Sequence, residues 1–331
     1  MNPSVGLVDN ERRLKLNKHM NKIENARRWQ TNTTDLTAYP CNWCPRECGI
    51  DRSQAVGFCG CADQIKLARG ALHFGEEPCL SGEGGSGTIF FSGCNLRCCF
   101  CQNYEISSQG WGRDISIDRM AEICLELQSA GAHNINLVTP TPYLQWVLPA
   151  LDRIRPRLHI PVVYNCSGYE KVEVIEALQP YIDIYLPDLK YYSDELSWRY
   201  SRCHDYFAAA TAAIRAMVAQ CGPPAFNRGG ILQKGVIIRH LVLPGARQDS
   251  IRIMRWLSEN LPRGDFMLSL MSQYTPTFNS SLFKEINRKI TSREYDSVVD
   301  EAVRLGLTNG YIQDRSSAAP EYTPPFDGEG I

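Results

Sequence analysis

Apolar residues fall into two alternating kinds of run along the chain. Short unbroken runs cover residues 87–93, 135–139, 161–166, 182–188, 235–243 and 267–274, with a late one at 311–313. Between them lie segments whose apolar positions recur every three or four residues: 117–130, 143–154, 170–178, 206–220, 250–261 and 292–305. The first kind predicts buried strands, the second helices packed by one face. Asp118 and Asp249 are placed to cap two helices, and Gly131, Gly222 and Gly306 to stop three. Six or seven strand-then-helix units make the strands parallel neighbours. The prediction is an α/β protein built as a partial (β/α)6-type TIM barrel. A doubly wound sheet is the competing arrangement.

The chain before and after the barrel has a different character. Residues 1–40 are a polar extension in which basic residues mix with Glu11 and Glu24, and Leu16, Met20 and Ile23 are spaced for a short amphipathic helix. Residues 41–86 form a Cys- and Gly-rich segment with little periodicity. The barrel is expected over 87–315 and a loose Pro/Gly-rich tail over 316–331. No apolar run reaches membrane-spanning length, and the first residues lack a secretory core, so a cytoplasmic protein is expected. The formal net charge of -1 supplies no global basic field, so neither nucleic acid nor membrane is expected as a partner.

Cysteine changes the picture. There are 14, and most crowd between positions 41 and 101 at spacings of two or three residues. Such spacings suit thiolate ligands of a metal better than disulfides. Directly after the first barrel strand stand Cys94, Cys98 and Cys101, a Cys-x3-Cys-x2-Cys triad. Three thiolates can hold three irons of a [4Fe–4S] cluster and leave the fourth iron with an open position. Cys99 sits inside the loop and breaks neither spacing. A zinc loop or packed thiols is the plain alternative. Barrel enzymes carry active sites on loops at the carboxyl ends of strands, where this triad falls.

The triad in this context resembles the radical SAM superfamily. The wider set of segments is most similar to the pyruvate formate-lyase activating enzymes, in their PflX-like branch. It includes 75–78, 87–107, 134–142, 164–170, 183–191, 239–245 and 271–276. The resemblance implies S-adenosylmethionine (SAM) chelated by the open iron. It also implies reductive cleavage of SAM, and a 5′-deoxyadenosyl radical that takes hydrogen from a substrate. A reductant such as flavodoxin or ferredoxin and a protein or peptide substrate are the implied partners.

The later strand ends offer SAM contacts. Thr139 and Thr141 stand where activating enzymes usually carry a Gly-Gly-Glu segment, which this chain lacks. Asn165 and Ser167 suit ribose hydroxyls. Asp188 and Lys190 are similar to an Asp-x-Lys segment whose Lys meets the SAM carboxylate. Arg239 can hold Asp188 or a carboxylate by a bidentate fork. Gln273 falls near where the adenine would lie. Each residue also has an ordinary structural reading: an ion pair for Asp188 and Arg239, a turn for Asn165.

Upstream, Cys41, Cys44, Cys48 and Cys59 form a second metal-site candidate, with Cys61 close by. Zinc and a second iron–sulfur cluster both fit that set. Gly82, Gly84 and Gly87 match a dinucleotide fingerprint in the wrong context, and read as a flexible approach to the first strand, within reach of the thiol loop. Cys124 reads as core. His240 could reach the site beside Arg239, the ordinary alternative being a core histidine. The leading expectation is a radical SAM oxidoreductase, either activating a glycyl radical enzyme or modifying a peptide or small molecule. The alternative of another class is a non-catalytic iron–sulfur or zinc protein for electron transfer.

Overall fold

A computed structural model describes residues 41–313 and 324–331. The helix expected around Leu16, Met20 and Ile23 lies outside the described residues. Ten strands form one sheet: β1 (Ile65–His73), β2 (Ser86–Phe91), β3 (Arg113–Ile115), β4 (Ile135–Val138), β5 (Val162–Cys166), β6 (Ile184–Pro187), β7 (Ala225–Phe226), β8 (Leu232–Leu241), β9 (Met267–Met271) and β10 (Gly310–Ile312). The order is β10-β9-β8-β6-β5-β4-β2-β1-β3, with β7 paired to β8. From β2 to β10 every neighbour on that path is parallel. The parallel order follows the chain without reversing. A doubly wound sheet reverses at a switch point, so the arrangement is the open, partial barrel.

The six predicted helices form within a few residues of their expected bounds, from Ile117–Ser129 to Ser292–Arg304. Two cap assignments change. Ser116, not Asp118, caps the first by accepting from Arg119 N. Asp249 caps nothing: its carboxylate accepts from Tyr192 N and Ser193 N, each at 2.8 Å, and so ties the loop after β6 to the helix Arg247–Asn260. The stop signals hold. Gly131, Gly222 and Gly306 all adopt positive φ just past helix ends.

The period of two along each strand builds the interior. Val163, Ile184, Leu186, Leu232, Ile237 and Met267 pack together, with Leu80 among them. Two residues further along the same faces come Asn165, Asp188, Arg239 and Ser269. The barrel is thus apolar at the amino end of its strands and polar at the carboxyl end. Leu80 belongs to the short helix Pro78–Ser81, so the segment joining β1 to β2 enters the barrel rather than passing over it.

Three expectations are corrected. β1 was hidden in the Cys- and Gly-rich segment, yet it pairs antiparallel with both β2 and β3. The glycines from 82 to 87 are not flexible. A Cβ at Gly82 would lie 2.5 Å from Ile231, and one at Gly84 2.5 Å from the Gly131 carbonyl. They stand at the amino end of the strands, away from the thiol loop, where only hydrogen side chains fit. The last residues are not loose. Gly70 N donates to Glu329 O at 2.9 Å, Arg69 pairs with Asp327 at 3.0 Å, and the Phe326 ring packs edge-on to Phe90.

Candidate functional site

The loop after β2 turns on Gly93, at φ +82°. A Cβ there would lie 2.3 Å from Cys61 Sγ and 2.7 Å from Cys59 O. The glycine therefore lets the upstream cysteine segment lie directly against the triad loop, and Cys94 N donates to Cys59 O at 3.3 Å. On its other side the loop is tied to the helix Asp194–Ser201. Arg97 N donates to Ser201 O at 3.1 Å and Cys99 N to Tyr200 O at 2.8 Å. The Ser201 hydroxyl reaches Cys98 Sγ at 2.9 Å, and Cys101 Sγ lies 3.2 Å from Ser107 Oγ.

The three thiols are close enough to perturb one another. Burial, then the neighbouring Cys98 and Cys101, push Cys94 up to about 12, and burial with Cys98 pushes Cys101 up to about 11. Burial also raises Cys98, although Lys190 opposes it. Deprotonated together, such thiols need a strongly positive partner, which an iron cluster supplies, and loading it releases protons. Among the described residues no three Cys, His, Asp or Glu side chains are placed to hold a single metal ion. Thiolates on a four-iron cube bind separate irons and need not converge on one point. The triad fits a cluster in this respect. Cys99 is buried and is not among the residues lining the cavity that Cys98 and Cys101 line.

Cys98 and Cys101 line a cavity together with Asn165, Asp188, Lys190, Arg239 and Gln273. Glu76 and His73 line it as well, with Phe90, Val138, Leu241 and Met271 as its apolar wall. The polar wall is fully wired. Lys190 Nζ lies 2.6 Å from Asp188 Oδ2, and Arg239 Nε 2.9 Å from Oδ1. Arg239 makes no bidentate fork. Its Nη2 donates to Asn165 Oδ1 at 2.6 Å and its Nη1 reaches Glu76 Oε2 at 3.4 Å, so one guanidinium joins β5, β6, β8 and the β1–β2 segment. Burial pushes Asp188 up, but Arg239 and Lys190 outweigh it and leave the carboxyl below its ordinary value. Thr275, also in the lining, has a buried hydroxyl with no hydrogen-bond partner, as a wall awaiting a polar ligand would.

The other expected residues lie elsewhere. Thr139 ends β4 at φ +61°, unusual for a β-branched residue, with its N donating to Asn165 O at 2.8 Å, and it is outside the lining. Thr141 turns into the core and donates to Glu170 at 2.8 Å. Ser167 donates to Asn95 of the triad loop at 3.0 Å. His240 is a core residue: its two ring nitrogens meet Leu189 O and Ser250 Oγ at 2.6 and 2.9 Å, and burial lowers it to about 4.

Two residues with no signal in the strand pattern matter. Glu76 is the first. Tyr206 is the second. Its hydroxyl lies 2.8 Å from both Ser167 O and Asp188 O, and accepts from Lys190 N at 2.9 Å. That clamp leaves no room for a side chain at Gly168, whose Cβ would meet Asp188 O at 2.1 Å with φ at +79°. Gly168→Ala is expected to lower thermal stability, by about 1–2 kcal/mol for the left-handed backbone alone. Thermal unfolding of the variant beside wild type checks it.

Upstream, Cys41 and Cys59 share the buried Arg52. Its Nη2 lies 3.2 and 3.8 Å from their sulfurs, and its Nη1 donates to Pro142 O. A Cβ at Gly57 would lie 3.5 Å from Cys48 Sγ and 3.6 Å from Cys59 Sγ. Cys61 and Arg52 hold the Cys59 thiol below its ordinary value, while burial pushes Cys44 up to about 12. The thiols cluster, but as placed they do not converge on the single point that zinc requires.

The radical SAM superfamily model matches residues 88–222, from within β2 to the end of the helix Tyr206–Cys221. An uncharacterized protein of Methanocaldococcus jannaschii is 31% identical over 279 residues, covering 81% of this chain and 75% of that protein. The chain belongs to the radical SAM superfamily. As a radical SAM enzyme it uses SAM and a [4Fe–4S] cluster. Among solved structures, Streptococcus suis SuiB bound to S-adenosylmethionine aligns at 16% identity and a TM-score of 0.45, over 69% of this chain and 50% of that chain. This radical SAM chain thus spans about half the length of SuiB. A domain of pyruvate-formate lyase-activating enzyme from Bacteroides vulgatus aligns at 13% identity and a TM-score of 0.39, over 53% and 94%. Among the described residues no helix is long and apolar enough to cross a membrane.

Proposed function

We propose that Cys94, Cys98 and Cys101 are the three thiolates of the [4Fe–4S] cluster, and that SAM occupies the cavity between them and the strand ends. The observation that carries this reading is the cavity itself. Two thiols of the triad and the Asp188–Lys190–Arg239–Asn165 network line it together. Held by those three thiolates, a reduced [4Fe–4S] cluster would supply the electron for reductive cleavage of SAM, and with it the means of abstracting hydrogen from a substrate.

The protein's own residues bind and orient. Lys190 and Arg239 offer cations to a carboxylate, with Asp188 holding both in place. Asn165 and Gln273 offer hydrogen bonds to ribose and base. Phe90, Val138, Leu241 and Met271 exclude water from the reacting end. The reductant is a small electron carrier of the flavodoxin or ferredoxin kind.

The finer reading is hydrogen abstraction from a protein or peptide, with a glycyl radical enzyme as one such substrate, in keeping with the resemblance to activating enzymes. Residues 41–64 then form a cysteine-rich module serving the barrel, whose sheet already includes β1. Its Cys41, Cys44, Cys48 and Cys59 bind a second metal centre once Arg52 withdraws from the sulfurs. Metal analysis tests that module. Reconstituted protein is expected to hold iron or zinc beyond one four-iron cluster, and the Cys41→Ser variant to lose only the excess. The SAM placement is tested by electron paramagnetic resonance. Adding SAM to the reduced cluster is expected to shift its spectrum, and an unchanged spectrum at saturating SAM would reject the placement.

A further inference from the structure

We infer that Glu76, which reaches the cavity from the segment between β1 and β2, is the acceptor for the amino group of SAM. The inference rests on SAM occupying the cavity proposed above, and names the contact for one end of it.

A SAM molecule brings to that cavity a carboxylate, which needs donors, and an amino group, which needs an acceptor. Donors are plentiful: Lys190 and Arg239 both line the wall. Carboxylate acceptors are few. Asp188 keeps lone pairs, but both of its oxygens are drawn onto cations by short charged bonds, to Lys190 at 2.6 Å and to Arg239 at 2.9 Å, and it serves to hold those donors in place. Glu76 is held differently. Asn136 and Asn165 donate to its Oε1 at 3.0 and 3.4 Å, and Oε2 meets only Arg239, at 3.4 Å. A carboxylate has about four lone-pair sites, and Glu76 keeps capacity on Oε2. It lines the same cavity as Cys98 and Cys101.

The surroundings point the same way. Asn136 Oδ1, on the amide that holds Glu76, is a buried acceptor with no partner. Glu77 Oε2 is another. This corner of the barrel therefore carries surplus acceptors and lacks a donor, the complement of an amino group. Burial makes a lone carboxylate there costly, which a bound donor offsets. The backbone fits the role too. Leu80, four residues on, is locked in the barrel interior, so Glu76 is held by packing rather than by a mobile loop.

The test separates contact from architecture. Cluster-reconstituted wild type and Glu76→Gln are titrated with SAM, with its des-amino analogue, and with 5′-methylthioadenosine, which has no amino-acid end. Wild type is expected to prefer SAM over the des-amino analogue, partly through the iron and partly through Glu76. The variant is expected to lose roughly tenfold to a hundredfold of that preference, the weight of one hydrogen bond to a charged group, while binding 5′-methylthioadenosine like wild type. Preference retained in full by Glu76→Gln would overturn the assignment, as would parallel weakening towards all three ligands, which marks a structural role. Wild type that binds none of the three would instead reject the SAM cavity itself. Should Glu76→Gln not fold, Glu76→Asp, which withdraws the carboxylate by one methylene, is read in the same way.

Discussion

Cys98→Ala is expected to lose the four irons of the triad's cluster and to reduce SAM cleavage to background, while leaving the fold intact. Cys98 is the triad member whose sulfur both accepts from Ser201 and faces the cavity. Two thiolates cannot hold a four-iron cube in place of three. The loop itself does not depend on that sulfur, because its anchors are backbone bonds, Arg97 N to Ser201 O and Cys99 N to Tyr200 O. Far-ultraviolet circular dichroism of the variant is therefore expected to match wild type. Cys99→Ala is the paired control. One position along the loop, it is expected to retain full iron. Iron loss in Cys99→Ala with iron kept in Cys98→Ala would mean that the ligand frame is wrong.

The second large effect belongs to Arg239. Its guanidinium joins Asp188, Glu76 and Asn165 at the centre of the barrel mouth, and it also opposes the buried charge of Glu77. Arg239→Met removes the cation and leaves the carboxylates. Losing one partner of a buried ion pair costs about 3–5 kcal/mol, so the metal-free variant is expected to unfold at much lower temperature near neutral pH. The pH dependence has a definite sign. Burial already raises Glu76 and Glu77 above 4.5, and Arg239 restrains the rise. Without it both rise further, and the native state then holds more protons than the unfolded chain. Stability of the variant should fall as pH rises from about 5, and recover as pH is lowered towards that value. Unfolding of both metal-free proteins across this range checks it. A deficit independent of pH would mean that lost packing, not stranded charge, is the cause.

Much of this was legible because parallel strands buried on both faces read as unbroken apolar runs. All six such runs and the late one at Gly310–Ile312 became strands, and Asn165, Asp188, Arg239 and Gln273 were accessible as the polar residues at or just past their ends. β1 escaped notice because Arg69, Gly70 and the surrounding cysteines and glycines mask a strand that runs antiparallel to both its neighbours, β2 and β3, beyond the parallel part of the sheet. The helix Asp194–Ser201 escaped because it is short and mostly polar, yet it anchors the triad loop.

Thr139 and Ser167 stand at strand ends, but the direction in which a residue there turns is set by tertiary packing. Thr139 leaves the strand with left-handed backbone, and Ser167 is engaged with Asn95. Glu76 had no signal of periodicity, and the helical period at Tyr206 said nothing of a role at the strand ends. One lies on a segment that threads the barrel and the other on a helix behind it, and tertiary packing alone brings them to Asp188 and Arg239.

The central claim is that this cavity brings SAM to a reducible cluster. The most direct measurement is the yield of 5′-deoxyadenosine when anaerobically reconstituted, chemically reduced protein is incubated with SAM. The account predicts 5′-deoxyadenosine from wild type and none from Cys98→Ala. Cluster-replete, reduced wild type that leaves SAM intact would contradict it.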